Sequence, residues 1–196
     1  MLDSFLGSFA QSILKGTHRQ MMVVKCLMPV NTMRRLMVAV PPKAEFEAGF
    51  YKWVERLARI GGQLGCRVHF WAHPDTILRI NGYLKKFHGN VRVEFSPMDD
   101  WDDLLLMSSK VAYDHLVVIV SARKGAISYQ SSFEELPTQI TKYFSNCSLM
   151  LIYPDQLGDP LENLTFSSPR GQSENPIYDH VSKWVYKWMK KGEEQG

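Results

Sequence analysis

The sequence predicts an α/β fold, an open, doubly wound parallel sheet. Three observations predict it. Short, continuous apolar runs recur along the chain, as in strands buried on both faces. Amphipathic segments of helical period separate them. Glycine or proline stands at most of the places where one pattern gives way to the next. Strands that alternate with helices in this way build βαβ units with right-handed crossovers.

The first clear strand is Leu36-Met37-Val38-Ala39-Val40, stopped by Pro41-Pro42. In 46-FEAGFYKWVERLARIGGQLG-65, Phe50, Trp53, Val54, Leu57, Ala58 and Leu64 fall on one helical stripe, and Gly61, Gly62 and Gly65 end it. Cys66–Ala72 is the second strand. His73-Pro74-Asp75 opens a helix carrying Ile77, Ile80, Leu84 and Phe87, closed by Gly89-Asn90. Val91–Phe95 alternates like a more exposed strand. The acids Asp99, Asp100, Asp102 and Asp103 crowd the start of a third helix over 99–114, where the helix dipole favours them. His115–Val120 is the fourth strand. A helix over 133–144 and the strand Cys147–Tyr153 complete the series. Ahead of it lie a helix over 3–17, an extra strand over 20–28 and a turn at 29–32. Behind it, 154–176 is rich in Pro, Gly, Ser and Asn, and 177–196 carries a Trp/Val stripe beside lysines. That last helix docks on the domain or meets a membrane or partner.

The chain has 196 residues, 45% apolar and 22% charged, with a net charge of +3. The size suits one ordinary domain, and the interspersed charges argue against nucleic acid as a partner. Cys26, Cys66 and Cys147 have no paired spacing and read as buried free thiols of a reducing compartment. No signal peptide is read, and no window holds the roughly 18–20 apolar residues of a membrane span. The chain itself is expected to be soluble.

In an open α/β sheet, ligands sit beyond the carboxyl ends of the strands. That rule selects Pro41, Pro42 and Lys43 after the first strand, His73 after the second, Ser96-Pro97 after the third, and Ser121, Ala122, Arg123, Lys124 and Gly125 after the fourth, with Ser128, Ser131 and Ser132 following. Two cations, hydroxyls and a glycine turn suit an anion. Neither G-x-x-x-x-G-K-[ST] nor G-x-G-x-x-G occurs, and no H-E-x-x-H, G-x-S-x-G or Cys/His cluster appears. No catalytic residue and no metal site is assigned, and the chain reads as a non-enzyme.

Three stretches, 31-NTMRRLMVAVPPKAEFEAGF-50, 116-LVVIVSARKGAISYQ-130 and 136-LPTQITKYFSNCSLMLIYP-154, resemble the universal stress protein-like cytoplasmic C-terminal domain of bacterial cation (sodium)/proton antiporters. The resemblance implies five parallel strands in the order 3-2-1-4-5, an adenine nucleotide alpha hydrolase-like sheet. It also implies a domain plan. Residues 1–32 are the remnant of a preceding similar module, 33–154 the stress protein-like domain, 155–176 an irregular linker and 177–196 an amphipathic helix. The implied function is non-catalytic regulation of a sodium (or potassium)/proton antiporter from the cytoplasmic side of the inner membrane. The implied ligand is ATP, AMP or a cyclic dinucleotide, and the implied partner is the membrane part of the same transporter. Where nucleotide-binding members carry Gly-x-x-Gly and a later Gly-Ser or Gly-Thr, only Gly125 carries over, so the anion rests on Arg123 and Lys124. A homodimer through the edge strand 147–153 is expected unless Met21–Leu27 covers that edge. The alternative is a free-standing stress-type nucleotide-binding protein.

Overall fold

The structure is a computed structural model that describes residues 12–157. Of the helix expected over 3–17 it describes only 12–17, helical over 12–16. Most of the linker and the C-terminal helix 177–196 lie outside the described residues.

Six strands form one sheet: β1 (Met21–Lys25), β2 (Arg35–Ala39), β3 (Arg67–Ala72), β4 (Val93–Pro97), β5 (His115–Val120) and β6 (Ser148–Tyr153), in the order β1-β6-β5-β2-β3-β4. All pairings are parallel except β1 with β6, which is antiparallel and sets Met21 opposite Tyr153 and Lys25 opposite Leu149. The connecting helices are α1 (Phe50–Leu64), α2 (Pro74–Phe87), α3 (Leu104–Ser108) and α4 (Leu136–Tyr143). The chain is thus α/β with a mostly parallel sheet of six strands, the extra N-terminal strand joining it as β1.

Continuous apolar runs occupy the sheet centre because both faces there are covered. On one face Met37, Ala39, Val117 and Ile119 pack with Trp101, Met107, Phe133 and Ile140 in a single core. The intervening residues Leu36, Val38 and Val118 are equally inaccessible, as are Trp53, Val54 and Leu57 of α1. Burying a side chain such as Leu57 contributes about 1.5–3 kcal/mol. Val91 and Arg92 precede β4 rather than belonging to it.

Three helices are shorter than the periodicity predicts, each for a local reason. The chain leaves β2 through Pro41-Pro42 into a 3-10 turn over Ala44–Phe46, with Lys43 left-handed at φ 66°, and α1 starts only at Phe50. Its cap, Gly49, has no room for a side chain: a Cβ there would lie 2.6 Å from the backbone N and O of Asp155. The third helix is preceded by a 3-10 turn, Trp101–Asp103, which opens with a capping box between Asp100 and Asp103, in keeping with the helix-start role read for those acids. It ends at Ser108, where the Ser108 and Ser109 hydroxyls donate back to the Leu105 and Leu106 carbonyls at 2.7 Å. Such back-bonds compete with continued helix. Ahead of α4, Ser131–Glu134 is a 3-10 turn and Pro137 sits in the helix's first turn.

β6 is not an edge. β1 occupies its outer side, so the backbone pairing expected of a homodimer through 147–153 is already used within the chain. Of the three thiols only Cys66 is buried; Cys147 is half-buried and Cys26, just beyond β1, is exposed, which corrects the reading of three buried thiols. No helix among the described residues is long and apolar enough to cross a membrane.

Candidate functional site

From β2 the chain winds through β3 to β4 in one direction, and from β5 to β6 in the other. The order reverses between β2 and β5, which pair side by side, and a ligand crevice belongs at their carboxyl ends. Its two lips are the 41–49 loop after β2 and the 121–130 loop after β5.

The lips are joined. Ser128, 2% exposed, donates from its backbone N–H (2.9 Å) and its hydroxyl (2.8 Å) to one oxygen, Oε1 of Glu47. Two donors converging on one oxyanion make a small anion seat, and here the chain supplies the anion itself. The same loop is braced on its other side by the Thr76 hydroxyl, which donates to Glu45 across 2.6 Å. Next to the two latch residues, Phe46 and Ile127 stand 65% and 57% exposed.

The Ser121–Gly125 turn is built differently from a phosphate loop. Ser121 is buried, with its N–H on the Ile152 carbonyl, and Ala122 is buried beside it. Arg123 turns inward and donates from Nη1 to the Pro154 carbonyl (2.6 Å) and from Nη2 to the Arg19 carbonyl (2.9 Å). Burial pushes the guanidinium below its ordinary pKa, against the attraction of Asp155 and Tyr153. Its Nε is buried without a partner. Lys124 points outward to Glu134 at 2.9 Å, and that bond raises its pKa. Gly125 supplies the turn at φ 89°, where a side chain would be strained. Ser121, Ala122, Arg123 and Lys124 line a cavity of about 430 Å³ with Phe133 and Tyr153.

Beneath this turn Asp155, 1% exposed, gathers charge. Lys52 of α1 lies 3.0 Å from its carboxylate, Arg19 lies 3.6 Å away, and the Leu157 N–H donates to it. Burial raises the Asp155 pKa, but Lys52, that N–H and Arg19 outweigh it and hold the carboxyl below its ordinary value. Three cations, Arg19, Lys52 and Arg123, therefore act on one buried carboxylate.

The predicted residues thus fall into separate places. Pro41 and Pro42 start the loop that carries Glu47, and Ser128 meets that loop. Ser121 to Lys124 face the cavity on the β6 side. His73 caps α2 by accepting the Asp75 N–H at 3.4 Å, and the Thr76 hydroxyl in that helix's first turn reaches Glu45 of the same loop. Glu47, Lys52, Asp155 and Arg19 are participants that the sequence did not single out. Glu47 sat in a stretch read as helix, and Asp155 in one read as linker. Among the described residues no group of His, Cys, Asp and Glu is placed to hold a metal. Compared with known proteins, the chain matches no family model, no curated protein and no solved structure.

Proposed function

We propose that this chain is a non-catalytic regulatory domain that senses an anionic, nucleotide-like ligand at the β2/β5 crevice. The carrying observation is the Glu47–Ser128 latch: two donors at the switch point already hold an oxyanion, and that oxyanion is on a loop. A ligand phosphate that replaces the Glu47 carboxylate frees the 41–49 loop. Ligand binding then favours one loop arrangement over another, which is what a sensor needs. Exposed Phe46 and Ile127 offer apolar surface for a base beside the phosphate.

The resemblance of 31–50, 116–130 and 136–154 to antiporter tails assigns the transporter as the regulated partner, on the cytoplasmic side of the inner membrane. The neighbours β4-β3-β2-β5-β6 support reading the five parallel strands as the 3-2-1-4-5 sheet of adenine-nucleotide proteins. The antiparallel seating of β1 on β6 supports reading residues 1–32 as the end of a similar module. The test is to titrate ATP, AMP and cyclic dinucleotides by calorimetry against the wild-type chain and Ser128→Ala. Saturable binding that Ser128→Ala weakens supports the reading. Absence of binding by all of them, or binding indifferent to Ser128, contradicts it.

A further inference from the structure

The opposite edge of the sheet holds a second concavity. The segments that enter β2, β3, β4 and β5 meet there around a cavity of about 760 Å³, lined by Arg34, Arg35, Arg67 and Arg92 together with Asn31 and Thr32. Four arginines from three strand entries are an unusual concentration in a chain whose net charge is only +3.

Two carboxylates answer them. Glu94 takes Arg35 (3.2 Å) and Arg67 (3.0 Å), and Asp114 takes Arg34 through Nε at 3.5 Å. Four positive charges less two negative leave an excess of two. The end of α1 also reaches the cavity through Leu64 and Gly65, and a helix C-terminus carries about half a negative charge. Arg92 addresses that end by donating to the Gly65 carbonyl. The helix end therefore offsets only a quarter of the excess. The Arg34 side chain is 84% exposed and bonds Asp114 through Nε, which leaves its two outer nitrogens for a ligand.

We propose that this amino-edge cavity is a binding site for a compact polyphosphate group, one that carries at least two phosphates. Arginine forks donate to phosphate oxygens two at a time, and the excess of two charges calls for more than one anionic group. A volume of about 760 Å³ accommodates such a ligand together with its hydration. The site is independent of the β2/β5 crevice, at the other end of the same strands.

The probe is tripolyphosphate, titrated into the full chain by calorimetry at low and at raised salt. Binding is expected at low salt and weakens as salt rises. Arg34→Ala combined with Arg92→Ala lowers the affinity about tenfold or more, since each charge-assisted bond is worth that order. Arg34→Gln with Arg92→Gln is the second pair, for use if the alanine pair fails to fold by circular dichroism. Lys124→Ala, at the far edge and paired only with exposed Glu134, leaves the affinity unchanged. Orthophosphate binds at least about tenfold more weakly than tripolyphosphate, having one group in place of three. Vesicles of equal parts phosphatidylcholine and phosphatidylglycerol separate a soluble ligand from a lipid headgroup. The soluble site predicts no sedimentation with them that depends on Arg34 and Arg92. The proposal is overturned if the wild-type chain does not bind tripolyphosphate at low salt, if both arginine pairs bind like wild type, or if only vesicles are bound.

Discussion

Arg123 and Pro154 are joined across 2.6 Å, guanidinium to carbonyl, and the same guanidinium reaches the carbonyl of Arg19 at 2.9 Å. One side chain thereby ties the exit of β5 to the exit of β6 and to the segment ahead of β1. The residue that looks most like an anion ligand in the sequence is a clamp. Arg123→Ala is expected to lower unfolding stability by about 1.5–3 kcal/mol, the range for hydrogen bonds to charged groups. Arg123→Lys recovers little of it, because one ammonium does not span two carbonyls as a planar fork does. Urea denaturation of the three proteins measures both; a loss below about 0.5 kcal/mol would remove the clamp, being what an ordinary surface substitution costs.

Gly49 and Gly82 make a matched pair. A Cβ on Gly49 meets the Asp155 backbone at 2.6 Å, whereas one on Gly82, exposed inside α2, meets nothing within 4 Å. Gly49→Ala is expected to destabilise by about 1–3 kcal/mol, as overpacking does. Gly82→Ala stabilises by about 0.5–1 kcal/mol through helix propensity. Thermal melting of the two variants should move in opposite directions, and movement in the same direction would contradict the close approach of the 154–157 segment to α1.

Acid stability is expected to depend on Glu55. Burial raises its pKa, but hydrogen bonds from His88 (2.6 Å), Tyr83 (2.7 Å) and Arg59 (2.7 Å) outweigh it and bring it from 4.5 to about 2. The folded value lies below the unfolded one, so this contribution is whole above pH 4.5 and is lost as pH falls toward 2. Glu55→Gln should be less stable at neutral pH and lose less on acidification. Equilibrium unfolding from pH 7 downward checks it; parallel curves for wild type and variant would refute the assignment.

A second acid-sensitive group is His69, which burial holds below its ordinary 6.5, with Glu94 opposing. Its Nε2 meets the Ser96 hydroxyl at 2.9 Å while Nδ1 has no hydrogen-bond partner and lies 3.7 Å from Glu94. A depressed histidine contributes stability above pH 6.5 that fades as pH drops through the folded value. Proton titration of the ring by NMR should give a midpoint under 6.5. A midpoint above it would show that Glu94 dominates.

The sheet was legible because its signal is local and redundant. Leu36–Val40 and His115–Val120 are apolar without a break, and the stripe from Phe50 to Leu57 has one period. Helix ends were less legible, since Gly49 is fixed by Asp155, a residue 106 positions away in the chain, and no periodicity carries that contact. The site was legible as a place and not as a set of bonds. Residue type and position after β5 pointed to Arg123 and Ser128, but the partners that decide their roles, Pro154 and Glu47, arrive from distant loops. The amino-edge arginines escaped notice because Arg34, Arg35, Arg67 and Arg92 converge only when the strands align.

The central claim is that Glu47 occupies an anion seat that a ligand takes over. Its most direct measurement is calorimetric titration of orthophosphate and ATP into wild type, Glu47→Ala, Glu47→Gln and Glu47→Ala with Ser128→Ala. Removing the internal carboxylate should strengthen anion binding by about tenfold, the worth of one charge-assisted hydrogen bond, and the added Ser128→Ala should abolish the gain. Equal affinities for wild type and both Glu47 variants would show that Glu47 and Ser128 form a loop staple and no seat.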